Sequence, residues 1–161
     1  MPGAEGPAIS APRYHEAVDA PAVEARLRAF FEEDPRGAVA VYLFGSVARG
    51  DAGPASDVDV GVLFAGEPPA TLDAPQFQIE TALERLLGRA VQVVALNRAS
   101  ADLVHRVLRD GHLVLDRDRA ARIRFEVRSR NEYFDMAPIR RQYRGYPAPG
   151  ASLGRVAEPR R

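Results

Sequence analysis

The sequence contains no cysteine, which excludes disulfides, thiolate metal sites and cysteine nucleophiles. Any metal must then be held by oxygen or histidine. Lysine is absent too: all 22 basic residues are arginine, so a cationic clamp on phosphate has to be guanidinium. Long apolar runs are missing. The longest, residues 38–44, is far too short to cross a bilayer, and the opening stretch MPGAEGPAISAPRYHEAVDA has neither a cationic n-region nor an apolar h-region. These absences predict a soluble, cytoplasmic chain without a membrane partner. The histidines, His15, His105 and His112, do not stand at metal-binding spacing, and no internal repeat is present.

What is present suits one domain: 161 residues, 46% of them hydrophobic, can bury a real core but not two. Residues 1–18 and 145–161 are rich in Pro, Gly and Ala and short of large apolar side chains, so they are expected to be disordered tails around a domain at 19–144. The net charge of zero is unevenly spread. Residues 1–116 hold ten Arg against seventeen Asp or Glu, and residues 117–161 hold twelve Arg against five, giving a segment near −7 followed by one near +7. A basic terminal segment suits an acidic partner or a nucleic acid, and a solvated arginine-rich helix accounts for it equally well.

Periodicity orders the middle of the chain. Asp19 stands where it can cap a helix carrying Val23, Leu27, Phe30 and Phe31 at helical spacing, and Pro35 and Gly37 end it. Residues 38–44 read as a buried strand, followed by the Gly45 corner and a short helical stretch. Residues 57–64 form a second strand. Ile79, Leu83, Leu86 and Leu87 share one helix face before Gly88, and residues 90–96 make a third strand. Ser100 caps a helix with Leu103, Val104, Val107 and Leu108 facing inward, which ends at Gly111 before a short strand at 112–115. The order α-β-β-α-β-α-β predicts an α/β sandwich. Residues 117–136 are ambiguous, since Ile123, Phe125 and Val127 alternate as in a strand whereas Ile123, Val127 and Phe134 suit a helix.

Chemistry concentrates in residues 44–59. A buried strand runs into Gly45 and Ser46, and a glycine at such a corner lets phosphate oxygens approach backbone N–H groups, with the Ser46 hydroxyl placed to bond terminal phosphates. Asp57 and Asp59 are two apart on a strand, so their carboxylates leave one face and can share divalent metal, while Val58 and Val60 point into the core. Together, a phosphate corner and a metal pair at the ends of consecutive strands supply what nucleotidyl transfer needs. Arg49 either clasps phosphate or ties the loop to Asp51. Tyr133, Phe134 and Tyr143 interleave with arginines as on an RNA-contacting face, or as on a helix packed against the domain or a partner.

The segment LFGSVARGDAGPASDVDVGVLF resembles the signature of the minimal nucleotidyltransferases, small relatives of the DNA polymerase β fold, with Gly45, Ser46, Arg49, Gly50, Ser56, Asp57 and Asp59 at matching positions. The similarity continues through LERLLGRAVQVVALNRAS, GHLVLDRD and RFEVRSRNEYFDMAP and spans about residues 20–140. It implies an α/β (α+β) nucleotidyltransferase fold, a small mixed sheet flanked by helices, and a helix over 117–136. It also implies nucleotide and phosphate binding by Gly45, Ser46, Arg49 and Ser56, a metal (Mg²⁺ or Mn²⁺) on Asp57 and Asp59, and transfer of AMP from ATP to a hydroxyl. Proteins of this kind are commonly antitoxins encoded beside a HEPN ribonuclease toxin, which they bind and adenylylate on a tyrosine.

One position departs from that pattern. Where the family carries a third Asp on the next strand, this chain has Gln92, whose amide can orient a water or a metal but cannot act as general base. Glu80 and Asp102 are the conceivable stand-ins. The alternative is a catalytically impaired antitoxin that acts by direct binding to its partner.

Overall fold

Four runs of β-branched and apolar residues make the strands of the computed structural model, which describes residues 18–136 and 138. The expected tails, Val18 apart, and Tyr143 lie outside the described residues. Strands β1 (Ala38–Phe44) and β2 (Val58–Phe64) are buried along almost their whole length, and β3 (Val91–Ala95) and β4 (His112–Asp116) are the edges. The sheet order is β3-β2-β1-β4, with β2 and β3 parallel and the other pairs antiparallel, so the sheet is mixed as expected. The third strand, expected to run to residue 96, stops at Ala95. Leu96–Arg98 forms a 3-10 turn instead, where the Asn97 amide accepts from the Phe64 N–H at 2.9 Å and donates to the Phe64 carbonyl at 3.0 Å.

Helices cover both faces. The side-chain alternation of the strands sends Val41, Leu43, Val58, Val60, Val62, Val91 and Val93 to the face under α1 (Ala20–Glu33) and α3 (Pro75–Leu87), where Val23, Leu27, Phe31, Ile79 and Leu83 complete one core. On the other face Ala40, Tyr42 and Leu63 pack with Leu96, Val104, Val107 and Phe125, under α4 (Ala101–Asp110) and α5 (Arg119–Asp135). Ser100 caps α4 as expected, its hydroxyl accepting from the Leu103 N–H at 3.3 Å. Asp19 occupies the N-cap position of α1 but its side chain makes no capping bond; Pro21 starts that helix. Leu86, expected inside, is 43% exposed, because α3 buries only the Ile79 and Leu83 stripe.

Residues 119–135 are helical, as the resemblance implied, but the helix faces the domain differently from its periodicity. Ile123, Val127 and Phe134 are 42%, 50% and 61% exposed, while Phe125 and Ser129 are buried. A polar network holds this face down: Arg122 pairs with Asp116 of β4 at 2.9 Å and Glu126 at 2.7 Å, and Glu126 accepts from the Tyr42 hydroxyl of β1 at 2.8 Å. Burial and the Glu126 carboxylate push the Tyr42 phenol above its ordinary range. Apolar spacing could not reveal an inner face made largely of hydrogen-bonded polar groups. Tyr133 stacks on His105 of α4, ring centroids 3.7 Å apart, so the aromatic end of α5 packs on the domain. Among the described residues no helix is long and apolar enough to cross a membrane.

Candidate active site

The site starts from strand register. β1 and β2 pair so that Phe44 lies opposite Asp59, and β2 and β3 pair so that Asp59 lies opposite Gln92. Residues opposite each other in a sheet share a face, so Phe44, Asp59 and Gln92 form a row across three strands, on the side covered by α4. Val58 and Val60, fully buried on the opposite side, fix which face β2 presents. Asp57 precedes the strand and is exposed, whereas Asp59 is half-buried.

Immediately after Phe44 the chain turns at Gly45, with φ +74°, into the one-turn helix α2 (Gly45–Arg49), which Gly50 closes in the left-handed conformation. Gly45 is required twice over. Its φ disfavours any side chain, and a Cβ there would collide with the Asp59 carboxylate, lying 2.8 Å from its Cγ and 3.1 Å from its Cβ. The carboxylate therefore rests directly on the glycine corner. A cavity of about 380 Å³ opens here, lined by Phe44, Gly45, Arg49, Asp59, Gln92 and Val94 from the sheet side and by Leu103, Arg106 and Asp110 from α4.

Each expected site residue has a definite place. Gly45, Arg49, Asp59 and Gln92 meet in the cavity; Ser46 follows Gly45 on α2 and is half-buried. Arg49 ties the loop to Asp51 at 3.2 Å, one of the two roles open to it. Ser56 braces the loop before β2, its hydroxyl accepting from the Gly53 N–H at 2.9 Å. Glu80 is not brought to the site: it stands on α3, on the far face, and accepts from the edge N–H of Val93 at 2.8 Å. Asp102 is exposed in the first turn of α4 and does not line the cavity. Sequence reading missed Arg106 and Asp110. Their spacing from Leu103, three and seven residues on, places all three on one side of α4, and that periodicity was the available signal.

Electrostatics single out Asp59. Burial, and secondly the neighbouring Asp57 charge, hold its carboxyl above the ordinary value, with Arg49 opposing. Asp110 shows the reverse, since its hydrogen bonds from Arg109 at 2.6 and 2.7 Å hold it low. Among the described residues no cluster of three or more His, Asp or Glu forms a ready metal cage. Asp59 and the Gln92 amide stand opposite each other in the cavity; Asp57, just before β2, does not line it, but its charge acts on Asp59. A half-buried carboxylate raised in part by the neighbouring Asp57 charge, beside an amide oxygen, fits a hard divalent cation that would offset the repulsion.

The family described as polymerase beta, nucleotidyltransferase matches residues 26–120, which hold every residue of this cavity. The chain belongs to that family. Solved nucleotidyltransferase-fold structures agree on the architecture. A toxin–antitoxin crystal structure with AMP-PNP aligns over 74% of this chain and 94% of its own, at 22% identity and a TM-score of 0.64. A tri-AMPylated Shewanella oneidensis HEPN toxin in complex with its MNT antitoxin aligns over 78% and 95%, at 20% identity and a TM-score of 0.61. A further toxin–antitoxin structure, MntA-HepT, aligns over 76% and 94%, at 20% identity and a TM-score of 0.60. No protein of curated function matches the sequence.

Two outcomes follow for a nucleotidyltransferase site built this way. Gly45→Ala should destabilise the protein by about 2 kcal/mol or more, from left-handed strain and the displaced Asp59, measured by urea unfolding; an unchanged midpoint would mean the corner is not constrained. Asp59 works the other way. A carboxyl whose pKa is raised on folding favours the fold while protonated, and that advantage is lost as pH rises from its ordinary value of 3.8 through the raised one. Asp59→Asn should therefore raise the melting temperature of the metal-free protein at neutral pH, with the gain shrinking in acid. A melting temperature equal to or below wild type at neutral pH contradicts this.

Proposed function

We propose that this chain is a divalent-metal-dependent nucleotidyltransferase, using Mg²⁺ or Mn²⁺, that transfers AMP from ATP to a hydroxyl of a partner protein. The partner in this reading is a HEPN-type toxin, the acceptor is a tyrosine, and the modification neutralises the toxin. The observation that carries it is the Asp59 carboxylate seated on the Gly45 corner, with Asp57 two residues before it and Gln92 opposite. The toxin–antitoxin neighbours support the partner, and the AMP-PNP and AMPylated structures among them support the nucleotide.

The chemistry assigns work to each group. Asp57 and Asp59 hold the metal, which when bound neutralises charge developing on the phosphates. The Gly45-Ser46 corner offers backbone N–H groups and a hydroxyl to phosphate oxygens. In the transfer the acceptor oxygen bonds to the α-phosphorus, the bond to the bridging oxygen breaks, pyrophosphate leaves, and the hydroxyl proton passes to solvent. Gln92 can hold the acceptor by hydrogen bonding but cannot take that proton.

That last point favours a second reading, an antitoxin of reduced activity that acts by binding its partner directly. It draws further support from the outward face of α5, where Ile123 and Val127 stand exposed among arginines over an open hollow of about 680 Å³. Gln92→Asp separates the two. Because Gln92 lies opposite Asp59, the change adds a third carboxylate beside the pair, and general-base assistance is worth about 10²–10⁴-fold. Intact mass of the partner after incubation with ATP and Mg²⁺ or Mn²⁺ should show AMP addition that is faster with the variant. Addition by the variant alone identifies the binding reading. Efficient transfer by wild type that Gln92→Asp fails to improve would show that no base is missing.

A further inference from the structure

A cavity that takes a triphosphate beside two aspartates needs countercharge beyond the metal, and this chain has no lysine to give it. Among the described residues, three arginines stand at or beside the cavity. Arg49 is paired with Asp51 at 3.2 Å, and Arg109 is spent on Asp110 at 2.6 Å. Arg106 differs. It lines the cavity from α4, between Leu103 and Asp110, and among the described residues it has no carboxylate within ion-pair distance. Its neighbour one turn on, Asp110, is already engaged by Arg109 through both carboxylate oxygens. An uncommitted guanidinium across the cavity from Asp59 is what a second anion would meet on entering.

We infer that Arg106 binds the terminal phosphates of the nucleoside triphosphate, reaching from α4 into the cavity that Asp59 also lines. This rests on the nucleotide reading above and adds to it a ligand-binding residue outside the family signature, on a helix that the signature does not include. The planar guanidinium offers two parallel N–H donors to two phosphate oxygens, geometry that an ammonium cannot reproduce. The β2 side then holds the metal-bound part of the triphosphate, and α4 holds its far end. Nucleotides lacking the β- and γ-phosphates do not reach Arg106.

Calorimetric titration of the full-length protein tests this, with ATP·Mg²⁺, inorganic tripolyphosphate and AMP as probes against wild type, Arg106→Ala and Arg106→Lys. Arg106→Ala should weaken ATP·Mg²⁺ and tripolyphosphate by about tenfold or more, leave AMP unchanged, and flatten the salt dependence of ATP binding. Arg106→Lys should recover part of the loss, since charge is kept and the fork is not. A merely structural role would move AMP and the melting temperature along with ATP. Equal ATP affinity in Arg106→Ala, or parallel loss of ATP and AMP, overturns the assignment and leaves the nucleotide reading standing. Failure of wild type to bind either ATP·Mg²⁺ or tripolyphosphate overturns both.

Discussion

Everything in the site depends on one close approach, the Asp59 carboxylate against the bare Cα of Gly45. Antiparallel register brings Phe44 opposite Asp59, and the next residue must then turn out of the strand beneath a carboxylate. Only a residue without a side chain satisfies both the positive φ and the space. The same turn launches α2, which carries Ser46 and Arg49, so corner, carboxylate and loop are set together. Behind them Val58 and Val60 are fully buried, and this anchors the strand: a slip of one residue would send the carboxylates into the core, at a cost no fold of this size could bear.

Much of this was legible in the sequence because it rests on local rules. Glycine at a strand end, alternation of aspartate with valine, and the Ser100 cap each state a backbone requirement within a few residues. The nucleotidyltransferase fold and the mixed sheet were implied by the family resemblance that the same string carries. What stayed hidden depends on which elements meet. That Gln92 stands opposite Asp59 is a matter of parallel register across a crossover, which the sequence suggested only through the resemblance. Glu80 looked like a stand-in carboxylate by residue type alone; its helix lies on the other face of the sheet, where it satisfies an edge-strand N–H. Arg106 and Asp110 entered the cavity with α4 as a whole. The inner face of α5 escaped apolar periodicity because Arg122, Glu126 and the Tyr42 hydroxyl hold much of it.

The charges of the site are arranged to be incomplete. Asp59 is kept above its ordinary proton affinity by burial and by Asp57, which means that the ionised pair is a source of instability in the absence of a counterion. Functional sites commonly sacrifice stability in this way, and a bound cation restores it. Gln92, opposite Asp59, is a neutral amide and adds no further negative charge to the pair. In the proposed reading the site holds a metal-bound nucleotide, and the Gln92 amide cannot accept a proton. The proposed reading therefore separates nucleotide binding from turnover, and a partner protein fits either.

Binding of nucleotide by the Gly45 corner and the aspartate pair through a divalent cation is tested most directly by a pair of calorimetric titrations of the wild-type protein with ATP. One contains Mg²⁺ and the other an excess of chelator. One ATP should bind per chain with Mg²⁺, and affinity should fall by at least about tenfold without it, since two carboxylates would then face a bare triphosphate. Equal affinity in the two titrations, or no binding in either, would contradict it.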